Sequence, residues 1–153
     1  MPDAATKPEN IHGTAILIGE RGVLITGPSG AGKTTLALIL LDHCRTRGLF
    51  SRMIGDDRLL ASSHAGRLVC RVPATIAGLA EVPGLIPRPL PFEAGGVIDL
   101  HVRLVPKAEM ARFQEEISEP VAGCPVQRID LAERNAATAL PAVMARLSIA
   151  PFL

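Results

Sequence analysis

Residues Gly27-Pro28-Ser29-Gly30-Ala31-Gly32-Lys33-Thr34 follow directly on the apolar run Val23-Leu24-Ile25. Glycines at this spacing let successive backbone N–H groups curl around an anion at little steric cost. Lys33 adds a point charge suited to β- and γ-phosphates, and the Thr34 hydroxyl is of the type that reaches a magnesium ion. The stretch from Gly27 to Thr35 therefore reads as the cradle of a nucleoside triphosphate, with a glycine turn that merely joins strand to helix as the plain alternative.

A phosphate cradle does not choose an acceptor. Phosphoryl transfer also needs a metal ligand and a group that deprotonates or orients the acceptor. Asp56-Asp57, at the end of a short apolar stretch, can divide that work, one carboxylate near magnesium and the other near an incoming hydroxyl. A solvated pair of turn acids is the competing reading. Asp99 is a rival metal carboxylate, but its place inside Val97–Val105 makes it an exposed strand residue.

The elements that must position these groups alternate between strand and turn. Thr14–Ile18 and Gly22–Thr26 read as strands joined by a tight turn at Gly19-Glu20-Arg21-Gly22. Thr35 to Arg47 is helical by composition and stops at Gly48. Phe50–Ile54 is a short strand leading into the paired aspartates, and Arg58–Ser62 with Arg67–Val72 form a second hairpin. From Pro73 to Gly96, five prolines and four glycines interrupt short apolar pieces, which predicts a long shaped loop. Val97–Val105 is a late strand, and Ala108–Ile117 is expected as a solvated helix carrying Glu109, Glu115 and Glu116, with Glu119 just beyond. Gln127–Leu131 is a last short strand, and Ala136–Leu147 a terminal helix that Pro141 is expected to kink. Met1–Asn10 reads as a flexible arm ahead of a single domain over residues 11–153.

Composition bounds the function. With 48% hydrophobic residues, 20% charged residues and a net charge of +1, nothing in the balance calls for a nucleic-acid or anionic-membrane partner. Four Phe, no Trp and no Tyr rule against a stacking platform for bases and require an aliphatic core. Cys44, Cys70 and Cys124 are odd in number and widely spaced, as expected of buried thiols in a cytoplasmic protein rather than metal ligands. His43, His64 and His101 are expected at the surface.

In order, His12-Gly13, Gly22 to Lys33, Gly55-Asp-Asp-Arg58 and Gly78-Leu-Ala-Glu-Val-Pro-Gly84 resemble the kinase domain of HPr kinase/phosphorylase. That resemblance, running from about Ile11 to Val105, implies an α/β P-loop domain with a mixed, hairpin-rich sheet and flanking helices, related to phosphoenolpyruvate carboxykinase. It implies ATP and Mg2+, and as substrate HPr, the phosphocarrier of the sugar phosphotransferase system. Carried over to this sequence, Lys33 holds the phosphates, Thr34 ligates magnesium, and Asp56 acts as general base and metal-side carboxylate with Asp57 beside it. Glu81 matches the second magnesium-associated acid, and His12 the active-site histidine. The start so close to His12 resembles the short, kinase-domain-only members, and the family implies a homo-oligomer, in known members a hexamer. The apolar loop Ile76–Phe92 is the expected interface.

Three departures stand out. Pro83 occupies a position where the family carries Arg, leaving Arg88 as the nearby cation. The span from Lys33 to Asp56 is longer than usual. The family's C-terminal arginine loop is only echoed by Pro125-Val-Gln-Arg128 and Glu133-Arg134-Asn135, with Arg134 as its candidate catalytic cation. Kinase activity is expected over the reverse, phosphorolytic reaction. A P-loop small-molecule kinase and a catalytically weak nucleotide-sensing protein remain as alternatives.

Overall fold

The structure, a computed structural model, describes residues 7–153. Its strands are β1 (Glu9–His12), β2 (Thr14–Ile18), β3 (Arg21–Thr26), β4 (Ser51–Gly55), β5 (Arg58–His64), β6 (Arg67–Arg71), β7 (Leu79–Ala80), β8 (Arg88–Pro89), β9 (Gly95–Val105), β10 (Ile117–Val121) and β11 (Cys124–Ala132). Two helices, α1 (Lys33–Thr46) and α2 (Ala136–Arg146), complete the fold.

Nine strands form one sheet in the order β1-β5-β6-β9-β3-β2-β4, with β11 joining β9 and β10 joining β11. β9 pairs in parallel with both β3 and β11, and every other pairing between these strands is antiparallel. The expected mixed, hairpin-rich sheet with flanking helices is the one found. The parallel trio has the functional consequence. Thr26 stands opposite Arg103 and Ala132 opposite Val105, so the C-terminal ends of these strands open onto one edge of the sheet.

Both faces of the sheet are covered. Val23 and Ile25 point into a core shared with Leu36, Ala37 and Leu40 of α1 and Val143 and Met144 of α2. Leu24, on the alternate face, packs with Ala15, Ile54, Leu59, Leu68 and Cys70. Burial on both faces explains why β3 is an unbroken apolar run rather than an alternating one. β3 and β9 approach so closely at Gly22 that a Cβ there would lie 2.1 Å from the Val97 carbonyl oxygen.

α1 ends in a Schellman motif: Gly48, at φ 72, donates to the Arg45 carbonyl, and Leu49 donates to that of Cys44. α2 closes the same way, with Ser148 N–H on Ala145 and Ile149 N–H on Met144. Pro141 lies inside α2 and contributes no N–H to its ladder.

Four expectations need correction. Met1–Thr6 of the expected arm lie outside the described residues, and Glu9 and Asn10 are already paired with Ala61 and Leu60 in the sheet. Ala108–Ile117 is not a helix: a 3-10 turn at Lys107–Glu109 gives way to irregular chain and then to β10. The apolar residues Met110, Phe113 and Ile117 are exposed there, so no amphipathic face is buried that would hold a helix. Glu119 accordingly sits on β10, paired with Arg128, rather than on a solvated helical face. His101 is not a free surface residue, because its ring is half-buried against β3 and bonded to Thr26. The expected loop after Pro73 is indeed long, but it carries the small β7–β8 ladder and is pinned to the body by Glu93 N–H on Met53 and Leu90 N–H on Gly78. All three cysteines are free and buried, as expected. No helix among the described residues is long and apolar enough to cross a membrane.

Candidate active site

The glycine-rich loop leaves β3 at Thr26 and enters α1 at Lys33. Gly30 and Gly32, at φ 81 and 92, take backbone conformations that a side chain would strain. Gly32 is the N-cap of α1 and supplies no capping side chain, and the first turn contains no acidic residue. The positive end of the helix is therefore uncompensated by the protein and faces the cavity, a setting that favours a bound anion. Lys33 Nζ folds back onto the loop, donating to the Gly27 carbonyl at 2.8 Å and to Pro28 at 3.1 Å.

Opposite the loop, β4 ends at Gly55 and delivers Asp56 and Asp57 into different environments. The Asp56 side chain is buried and accepts hydrogen bonds from Thr14 Oγ1 (2.7 Å), Thr34 Oγ1 (2.8 and 2.9 Å), the Asp57 N–H (3.1 Å) and the Glu81 N–H (2.7 Å). One carboxylate thus ties together β2, the loop helix and the long loop. Asp57 takes a left-handed conformation, φ 69, and is exposed. Its carbonyl accepts the Gly13 N–H at 3.0 Å, which brings His12-Gly13 alongside. Gly13 is required there, because a Cβ would stand 2.9 Å from the Ile25 carbonyl oxygen.

A cavity of about 950 Å³ joins these parts. Gly27 to Thr35 line it together with His12, Asp57, Glu81 and Arg134. Asp56 lies behind the wall, reaching the cavity only through its neighbours. The Glu81 carboxyl is pushed above the ordinary range, first by the negative charge of Asp57, then by desolvation and by Asp56, with Lys33 opposing. Arg134 sits at φ 53 in the β11–α2 corner; its N–H donates to the Ala31 carbonyl at 2.9 Å and its guanidinium pairs with Glu133. Arg88, the expected replacement cation for Pro83, lies on β8 and is not part of the cavity lining.

Three features of the site escaped the sequence. Thr14 looked like an ordinary strand residue, though it is a hydroxyl in an otherwise apolar strand. The loop residues Leu85 and Pro87 line the cavity, as do Leu104, Ala132, Asn135, Ala136 and Ala139. Asp99 stays away from the cavity, its carboxylate holding the Gly22 N–H at 3.0 Å.

Residues 3–86 match the HPr Serine kinase C-terminal domain, a span of more than half the chain. The chain belongs to this family. Within the HPr serine kinase family it is 34% identical over 85 residues to the HPr kinase/phosphorylase of Clostridium beijerinckii, covering 56% of this chain and 26% of that protein. It is 36% identical over 126 residues to that of Lactobacillus acidophilus, covering 74% of this chain and 37% of that protein. The chain therefore spans about a quarter to a third of the length of the curated relatives it matches. The solved structure of the Hpr(Ser) kinase/phosphatase from Coxiella burnetii superimposes with a TM-score of 0.76 at 21% identity, over 91% of this chain and 95% of that one. That likeness confirms the fold of the family kinase domain: a mixed sheet with flanking helices.

Proposed function

We propose that this chain is an ATP-dependent kinase that phosphorylates a serine of HPr in the cytoplasm, residues 11–153 acting as one P-loop kinase domain. The observation that carries this reading is one cavity lined by the glycine-rich loop and Lys33 together with the two acids Asp57 and Glu81. Family membership supports HPr as the acceptor. A protein acceptor is supported by Leu85, which lines the cavity, and by neighbouring Ile86, 80% exposed, an apolar pair suited to another protein's surface. Contacts between copies of the chain, which the family resemblance implies, would draw on Leu79 and Phe92 of the same loop. A small-molecule kinase fits less well, because Lys33 and Arg134 are the only Lys or Arg among the lining residues, too few for an arginine-rich lid.

In this reading the loop N–H groups and Lys33 bind and orient the phosphates, Lys33 exchanging the Gly27 and Pro28 carbonyls for phosphate oxygens. Arg134 stands ready to neutralise charge that develops during transfer. The general-base role, expected for Asp56, passes to Asp57: the Asp56 oxygens are already engaged by four residues, whereas Asp57 faces the cavity and can take the serine proton. Asp56 then orients the Thr34 hydroxyl, and His12 supports Asp57 from the adjoining strand.

The donor set suits magnesium. Thr34 and Glu81 offer hard oxygen donors, while Asp56, the expected metal-side carboxylate, is engaged by four protein donors and acts by orienting Thr34. The repulsion that raises the Glu81 carboxyl is what a divalent cation would relieve. No three acidic, imidazole or thiol side chains among the described residues form a cage for a metal on their own. When bound, Mg2+ would supply charge neutralisation at the phosphates. The test is incubation with γ-labelled ATP, Mg2+ and HPr. Label on an HPr serine supports the reading, while unlabelled HPr in the presence of bound nucleotide overturns it in favour of a nucleotide sensor.

A further inference from the structure

We infer that the protein carries a second ligand site, a cavity for a small multivalent oxyanion at the end of the sheet opposite the glycine-rich loop. The cavity measures about 390 Å³, within the size range of small-molecule sites. Its charged and polar lining is Arg21 from the start of β3, Arg67 from β6, Arg146 from the end of α2, Asp99 from β9, Ser118 and Gln127. Three guanidinium groups thus face one carboxylate, in a chain whose total charge is only +1.

That carboxylate is already committed. Asp99 Oδ2 accepts the Gly22 N–H at 3.0 Å and Oδ1 faces the Arg67 guanidinium at 3.4 Å. Arg21 donates to the Leu147 carbonyl at the end of α2, which satisfies the helix terminus and leaves the rest of its fork for another acceptor. Arg146 is the decisive residue. Its Nη1 is shielded from solvent and has no hydrogen-bond partner. A buried guanidinium N–H without an acceptor is destabilising, and an oxyanion in the cavity that draws Arg146 toward it converts that deficit into a charge-assisted bond. Planar forks are matched by phosphate and carboxylate, which share the required chemistry.

The location separates this ligand from the phosphoryl-transfer reaction. Gly22 and Gly27 lie at opposite ends of β3, about 16 Å apart at the rise of an extended strand, far beyond the reach of any reacting atom. The occupant would sit where β3 and β9 begin, and its binding does not depend on the kinase reading above.

Calorimetric titration of the full chain with citrate and with inorganic phosphate tests this, with the glycine-rich loop first filled by Mg2+ and a non-hydrolysable ATP analogue. If the analogue does not bind, the same titration is run on the Lys33→Ala chain, so that failure of the kinase reading and failure of this one are told apart. At least one probe is expected to bind with 1:1 stoichiometry, and the preferred probe identifies a carboxylate or a phosphate ligand. Arg146→Gln should weaken that binding by about tenfold or more with nucleotide affinity unchanged. Arg67→Gln, at a side chain 63% exposed and therefore safe for folding, should weaken it in the same direction. Absence of binding by both probes up to about 10 mM, or unchanged affinity in both variants, overturns the inference.

Discussion

The Thr34 hydroxyl donates to both oxygens of Asp56, at 2.8 and 2.9 Å. The loop residue best suited to a metal is thereby held by a buried carboxylate 22 positions away in sequence, and the two acids of Asp56-Asp57 stand in different surroundings. Replacing Asp56 by Ala would strand the Thr14 and Thr34 hydroxyls and the Asp57 and Glu81 N–H groups. We expect a loss of about 3 kcal/mol or more in urea unfolding. Asp57→Asn should leave stability within about 1 kcal/mol, since Asn tolerates the left-handed backbone, and should abolish phosphate transfer to HPr. Equal stability losses in the two variants would contradict the division of roles.

Lys33→Ala should unfold like the parent chain, because the bonds it removes are to carbonyls of a loop that water can reach. Nucleotide affinity should fall by about 10- to 100-fold, the range of a lost charge-assisted contact. Lys33→Arg should not restore it fully, as a planar fork replaces a compact point charge. Fluorescent-nucleotide titration reads both.

His101 and Thr26 share a 2.6 Å hydrogen bond between β9 and the end of β3, just before the loop. Burial, reinforced by Arg128 and Arg103 and opposed by Glu119 and Asp130, pushes the His101 imidazole down to about 4. A histidine whose folded value is depressed stabilises the fold fully above its unfolded value near 6.5, and that stability is lost as pH falls from 6.5 toward about 4. The contribution is on the order of 3 kcal/mol across that window. Urea unfolding from pH 7 to pH 4 should show a steeper acid loss in the parent chain than in His101→Gln. Parallel pH profiles would rule the coupling out.

Gly22→Ala tests the closest approach in the sheet. The added carbon would meet the Val97 carbonyl oxygen at 2.1 Å, and backbone cannot yield as a flexible side chain can. β3 must shift against β9, with an expected cost of about 3 kcal/mol or more and a weakened nucleotide site at the far end of the same strand. Thermal unfolding alongside nucleotide titration checks both.

Local chemistry was legible where neighbouring residues decide it. The Gly27–Thr34 loop, its β3–α1 setting, the two hairpins and the Gly48 stop all depend on backbone freedom and apolar pattern within a few residues. Ala108–Ile117 misled for the same reason: its composition favours helix, but no apolar face of that segment finds a core to cover, and propensity alone does not hold a short helix in water.

Residue types and their order determined by themselves the glycine-rich turn between strand and helix, and which acids follow it in the chain. Only the tertiary structure decided which of two adjacent aspartates faces the cavity, because β4 ends by turning one into Thr14, Thr34 and the Glu81 backbone and the other, at φ 69, out of the sheet. It likewise decided that Arg134 reaches the loop while Arg88 does not, and that three distant arginines share a second cavity. These relations join positions tens of residues apart, and they depend on strand order and register, which no local pattern encodes.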